Sequence, residues 1–122
     1  MENVARDETP SLISADKVEG TSVYNQEGEK LGNVEDIMID KRSGRVAYAV
    51  LSFGGFLGMG EKHHPLPWSV LTYDTERDGY IVPLSKDVLK GAPAYGDNDR
   101  PMWDDPAWNT NVYNYYHVKW PM

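Results

Sequence analysis

The sequence predicts an all-β protein, a small β-barrel of about six strands with short helical turns. It also predicts a C-terminal aromatic extension that carries a short helix. Short apolar stretches with two-residue alternation are separated by turns that contain glycine, which is typical of strands joined by hairpins. Before residue 94, no apolar periodicity is long enough for a helix that buries a core. The extension is predicted because half of the aromatic residues follow residue 94.

Composition excludes several classes of protein. The 122 residues support one compact domain, and a net charge of -7 works against binding to nucleic acid or anionic lipid. The absence of cysteine excludes disulfides, thiolate catalysis and thiolate metal sites. No apolar run approaches the ~18 residues of a membrane span, and the polar N-terminus lacks the apolar core of a secretory signal. We therefore expect a soluble, cytoplasmic protein.

Three regions are predicted along the chain. Residues 1–13 are polar and are expected to form a mobile N-terminal arm. Residues 14–93 form the barrel domain, and residues 94–122 form the aromatic extension. At the start of the domain, Ser14 is a candidate cap for a short helical turn. A strand follows near residues 21–24, and Gly28 supplies the positive-φ end of the next turn.

The second and third strands form the centre of the predicted barrel. The apolar residues of the second strand, at about residues 30–40, change parity near Glu35 and Asp36, which predicts a β-bulge. Gly44 suits the left-handed position that closes the following hairpin. The third strand, residues 45–53, is apolar on both faces and should therefore be covered on both sides. One face should pack in the barrel interior, and the other should pack against either the C-terminal segment or a partner.

The remaining barrel elements are short. Ser85 is a candidate cap for a helix that Gly91 and Pro93 stop. The predicted elements are, in chain order, a glycine-rich loop at 54–60, a strand at 63–67, a helical turn at 67–71, strands from Tyr73 and at 80–83, and the helix ending at Lys90.

The C-terminal extension is too aromatic for a disordered tail. Asp105 followed by Pro106 is typical of a helix start, with a capping carboxylate and proline at the first helical position. An apolar stripe follows at helical spacing, which predicts a helix packed on the barrel or on a second subunit. The stripe consists of Trp108, Val112, Tyr115 and Tyr116.

Three segments, taken in order, resemble the PRC-barrel family over about residues 14–93. They are Gly20-x-x-Val23-Tyr24-x-x-x-Gly28-Glu29-Lys30-Leu31-Gly32, then Ile39-Asp40-x-x-x-Gly44-Arg45-Val46-Ala47-Tyr48-Ala49-Val50-Leu51-Ser52-Phe53-Gly54-Gly55, and Pro67-Trp68 ahead of Leu71.

The resemblance implies a compact barrel of the stand-alone bacterial type. The same module occurs in the cytoplasmic part of the photosynthetic reaction-centre H subunit and in the C-terminal half of a ribosome maturation factor. The resemblance implies a role as a protein-contact platform, and the family has no catalytic motif to carry over.

The side chains that carry chemistry do not form a recognisable constellation in the sequence. His63 and His64 are adjacent, so in a strand they point to opposite faces and cannot share one metal. Glu35 and Asp36 diverge for the same reason, which disfavours a pair of catalytic carboxylates. No nucleophile motif is visible, and we expect no catalytic residue, cofactor or metal.

The leading hypothesis is a non-enzymatic protein-interaction or assembly module whose partner is another protein or a second copy of itself, as a homodimer. An RNA or ribosome-assembly accessory factor is the alternative that the resemblance raises, although few basic residues accompany the aromatic tail. A small-ligand binder or enzyme is the third hypothesis. The candidate contact residues are Phe56, Leu57, Trp103, Trp108, Tyr115 and Tyr116.

Overall fold

The computed structural model of the protein describes residues 8–54 and 61–120. These residues form a seven-stranded sheet and short helices. The strands are β1 (Ser22–Tyr24), β2 (Lys30–Ile39), β3 (Val46–Gly54), β4 (Glu61–Pro67), β5 (Thr72–Asp74), β6 (Gly79–Ile81) and β7 (Tyr95–Gly96). The helices are α1 (Ala15–Val18), α2 (Lys86–Lys90) and α3 (Pro106–Tyr115), and a 3₁₀ turn covers Trp68–Val70.

The sheet has the strand order β5-β6-β1-β2-β3-β4-β7. β1 and β6 are parallel, and the other neighbours are antiparallel. The mostly β fold is confirmed, but the predicted six strands become seven because the extension adds β7 to the edge of β4. No ladder joins β5 to β7 within the described residues, so hydrogen bonds do not close this sheet into a barrel.

The β2–β3 hairpin contains the bulge that the sequence predicts. The pairing register shifts between Val34 and Asp36, which confirms the change of phase near Glu35. A second shift, between Met38 and Ile39, was not predicted, and it leaves Ala47 without a strand partner in the register. At the end of the hairpin, Gly44 has a φ of 78°, as predicted.

The predicted helix caps are also confirmed. The side chain of Ser14 accepts a hydrogen bond from the backbone of Lys17, and that of Ser85 accepts one from Val88. Asp105 caps α3 with Pro106 in its first turn. Each cap satisfies a backbone N–H that has no partner inside the helix.

β3 is covered on both faces, as predicted. Residues 47–51 are each at most 6% exposed. On one face lies the aliphatic core. On the other, the ring of Tyr48 lies 5.3–6.5 Å from the rings of Trp103, Trp108, Tyr113 and Trp120. The extension of the same chain therefore provides the second layer. The aliphatic core includes Val23, Leu31, Val34, Leu51, Leu66, Val82 and Leu89.

The buried face of α3 differs from the predicted stripe. Val112 and Tyr116 are buried as expected, but Tyr113 is buried in place of Tyr115, which is 36% exposed. Hydrogen bonds explain why Tyr113 is buried and Tyr115 is not. The hydroxyl of Tyr113 donates to the carbonyl of Ala47, and α3 also presents Asn109 to β3. A hydropathy stripe does not contain this information.

Residues 8–13 contact the start of the domain. Glu8 forms a β-bridge with Ile13, and its carboxylate lies 2.7 Å from the ammonium of Lys17. The mobility of an arm over residues 1–13 stays a prediction.

Candidate functional site

An apolar groove of about 210 Å³ lies between the end of the β2–β3 hairpin and the aromatic extension. We call it the aromatic groove. Its walls include Met38, Ile39, Tyr48, Trp103 and Trp120.

Two apolar side chains in or beside the groove are unusually exposed. Ile39, in the groove, is 51% exposed, and Met102, next to Trp103 in the chain, is 47% exposed. Ile39 follows the second register shift of β2, and this is why the parity of the sequence did not predict its exposure. Large apolar side chains that cluster at a surface often mark a binding site.

Charged residues of both signs flank the groove, and Asp40 is part of its lining. The hairpin tip that follows Asp40 contains Lys41, Arg42 and Arg45, all exposed. On the other side, Trp103 is followed by Asp104, whose side chain is 81% exposed. The groove is therefore an apolar surface with charges of both signs at its edges.

The predicted contact residues divide into several groups. Trp103 lines the groove, whereas Trp108 is half-buried against Tyr48. Tyr116 is 7% exposed, and Tyr115 is at the surface with its hydroxyl bonded to the Val88 carbonyl at 2.6 Å.

Two other predicted contact residues, Phe56 and Leu57, lie outside the described residues. The contributions of Met38, Ile39 and Trp120 to the groove were missed. Of these, Trp120 belongs to the aromatic tail that the sequence singled out.

A second feature is a cluster of Glu35, His63 and Asp97. The Nδ1 atom of His63 lies 2.7 Å from a carboxylate oxygen of Glu35, and Nε2 lies 2.6 Å from one of Asp97. His63 is 8% exposed, and its ring stacks on Tyr95 with centroids 5.1 Å apart. We call these three residues the His63 cluster.

Three strands position this cluster. Glu35 is at the bulge of β2, where the extra residue can aim its side chain away from the regular alternation. His63 lies on β4, paired with Ser52 of β3 on one side and Tyr95 of β7 on the other. Asp97 directly follows β7. Because its members are 28 and 34 residues apart, no local spacing could have revealed the cluster.

The geometry favours the protonated form of His63. A neutral imidazole has one N–H, whereas an imidazolium has two and satisfies both carboxylates. Burial alone lowers the pKa of His63, but the carboxylates of Asp97 and Glu35, which accept hydrogen bonds from the ring, outweigh burial and raise the net pKa. With both nitrogens engaged, the ring is suited to clamp three segments electrostatically, not to abstract a proton.

His64 lies in a different environment, as strand alternation predicts. It is 2% exposed, and its ring packs edge-on against Phe53 at 5.5 Å. Its Nδ1 atom is buried without a hydrogen-bond partner among the described residues. Burial, and then the nearby His63 and Lys62, lower the pKa of His64 to about 4. Among the described residues, no group of three or more His, Asp or Glu side chains has metal-binding geometry.

The fold and these surfaces define a small, mostly antiparallel β domain covered on one side by its own aromatic extension. None of the helices in the described part of the chain has the length and apolarity to cross a membrane. The chain belongs to the PRC-barrel domain family, whose model matches residues 10–89, more than half of the sequence. This match confirms the resemblance seen in the sequence. A comparison with curated proteins gave no match.

Proposed function

We propose that this PRC-barrel protein is a non-enzymatic interaction module that binds a second copy of itself through the aromatic groove. The observation that carries the proposal is the groove itself, in which exposed apolar residues are flanked by opposite charges. A two-fold symmetric contact can pair the cations of the hairpin tip with Asp104 of the other copy, so such a surface can be complementary to itself. This local pairing offsets the repulsion between two chains of net charge -7.

The apolar part of the groove supplies the main driving force. Full burial of a side chain the size of Ile39 or Met102 contributes roughly 1.5–3 kcal/mol. In a symmetric contact each residue is buried twice, and a Kd near 1 μM needs about 8 kcal/mol beyond the cost of association. Because Ile39 and Met102 are already about half-buried, four such side chains per dimer contribute roughly 3–6 kcal/mol. The dimer therefore also requires burial of further apolar surface from Met38, Trp103 and Trp120.

The non-enzymatic part of the proposal rests on the His63 cluster. Both ring nitrogens of His63 are bonded to carboxylates, so the cluster lacks the free nitrogen that a general base needs. The family resemblance points the same way, since it brought no catalytic motif to this sequence.

Sedimentation velocity on the intact chain tests the proposal. We expect a concentration-dependent dimer up to about 100 μM, and we expect Ile39→Glu to weaken the dimer at least tenfold because it places a charge in the contact. Leu12→Glu is the matched control, since Leu12 is 72% exposed and lies outside the groove. Raising the salt concentration should weaken the dimer moderately through the charged flanks.

Two results contradict the proposal. A monodisperse monomer over the whole concentration range rules out self-association. Equal weakening by Leu12→Glu and Ile39→Glu places the contact outside the aromatic groove.

A further inference from the structure

A second cavity, of about 360 Å³, is lined by residues on the face of β4 opposite His63. It shares no lining residue with the aromatic groove or the His63 cluster. We call it the basic pocket. Its described lining consists of Phe53, Lys62, His64, Lys90, Ala92 and Ala94.

The charge of the basic pocket is opposite to that of the whole chain. Lys62 comes from β4 and Lys90 from the end of α2, and the described lining has no carboxylate. The ion pairs among the described residues use other cations, namely Lys17, Arg77, Lys86 and Arg100. Two lysines of a protein with net charge -7 therefore line one cavity, and neither takes part in those ion pairs.

His64 is a buried polar residue in the wall of the pocket. It is 2% exposed and lines the cavity, and its buried Nδ1 has no partner among the described residues. Buried polar atoms in native proteins nearly always have a hydrogen-bond partner. The charge of Lys62 disfavours a proton on this ring, so an anion bound in the pocket should favour the protonated ring.

We propose that the basic pocket binds a small molecule through a phosphate group. Two ammonium charges match a phosphate dianion better than a carboxylate monoanion, and lysine serves phosphate as a point charge. Phe53, Ala92 and Ala94 form an apolar wall for the remainder of a phosphate ester. The volume is within the range of pockets that enclose small ligands.

Nuclear magnetic resonance of the histidine rings in the intact chain tests this inference. The probes are inorganic phosphate and phenyl phosphate, with acetate as the carboxylate. We expect saturable shifts of the His64 ring with both phosphates and little change with acetate. Bound phosphate should also raise the pKa of His64, because the dianion stabilises the imidazolium. If phenyl phosphate binds more tightly than inorganic phosphate, the ligand is a phosphate ester. If the two bind equally, the ligand is the free phosphate ion.

Lysine variants locate the site. Lys62→Gln and Lys90→Gln should each weaken phosphate binding about tenfold, which is the effect of losing roughly one strong charge contact. Lys41→Gln is the matched control, because Lys41 is an exposed lysine of the hairpin tip outside the pocket. All three changes are at the surface and should leave the fold intact.

Three results overturn the inference. One is the absence of a saturable His64 shift with either phosphate. Another is a His64 shift with acetate as large as that with phosphate. The third is a loss of phosphate affinity in Lys41→Gln as large as in Lys62→Gln and Lys90→Gln, which would indicate general screening of charge. None of these results bears on the aromatic groove, so the proposed self-association stands or falls separately.

Discussion

At the scale of single residues, Gly32 sets how closely two central strands approach. A Cβ atom built at this position overlaps the backbone carbonyl oxygen of Ser52 and lies 3.2 Å from the Cδ1 atom of Leu51. Gly32 does not have a positive φ, so the requirement is space and not a left-handed backbone. The obstruction is backbone on the paired strand β3, which cannot rotate away as a flexible side chain can.

We expect Gly32→Ala to destabilise the protein by about 2–3 kcal/mol, because the methyl group forces β2 away from β3. Gly91→Ala is the control, since its Cβ lies 3.3 Å from the hydroxyl of Tyr115 and at ordinary contact distance, 4.0 Å, from the Val88 carbonyl oxygen. It should change the free energy of unfolding by no more than about 0.5 kcal/mol. Urea unfolding followed by tryptophan fluorescence measures both, and equal losses contradict the assigned role of Gly32.

At the scale of elements, two buried hydrogen bonds fix α3 on β3. The hydroxyl of Tyr48 donates to the side-chain oxygen of Asn109 at 2.7 Å, and that of Tyr113 donates to the carbonyl of Ala47. Ala47 is the residue that the second register shift leaves without a strand partner. The helix therefore completes the hydrogen bonding of an irregular strand, in addition to covering its apolar face.

Tyr113→Phe tests this coupling of helix and strand. The change leaves the buried Ala47 carbonyl without its donor, so we expect a loss of about 1–3 kcal/mol in the free energy of unfolding. Tyr115→Phe removes the exposed hydrogen bond to Val88 and should cost less than about 1 kcal/mol. Thermal unfolding of both variants measures the difference. Comparable losses imply that packing alone holds the helix.

The elements that the sequence predicted well depend on local chemistry. The caps at Ser14, Ser85 and Asp105 and the turn at Gly44 follow from a few neighbouring residues, and all were found. The exposure of Ile39 depends instead on a register shift.

The contact of Glu35 with His63 and Asp97 likewise depends on which strands are neighbours. Strand order and register are set by the whole sheet, so alternation within one strand cannot supply them.

At the scale of the whole molecule, two adjacent histidines act on stability in opposite directions. Burial disfavours a proton on His63, but Glu35 and Asp97 outweigh burial and raise its pKa above 6.5. His64 is held neutral, and burial lowers its pKa to about 4. Lys62 and the charge of His63 also disfavour a proton on His64. Protonation of His63 on one face of β4 therefore stabilises the fold, whereas protonation of His64 on the other face destabilises it.

The stability of the protein should consequently have a maximum near pH 6.5, the ordinary pKa of both groups. The stabilisation from His63 is fully present below pH 6.5 and is lost as the pH rises through its folded-state pKa. His64 acts on the acid side. Between pH 6.5 and about 4 the unfolded chain takes up a proton that the folded chain refuses. This costs roughly 3 kcal/mol at about 1.4 kcal/mol per pKa unit.

Variants separate the two sides of this maximum. His63→Gln should flatten the decline above pH 6.5, and Glu35→Gln should move that decline to lower pH because one of the two carboxylates is gone. His64→Leu should remove most of the decline between pH 6.5 and about 4. The pKa values of Glu8 and Glu29 are lowered from 4.5. Protonation of these two carboxylates should therefore still destabilise the variant below about pH 4.5. Urea unfolding from pH 4 to pH 9 provides the curves, and ring resonances of the folded protein provide the two pKa values directly. If His63→Gln keeps the alkaline decline, His63 does not act as a charged clamp, and the extension is held to β4 by β7 pairing and aromatic packing alone.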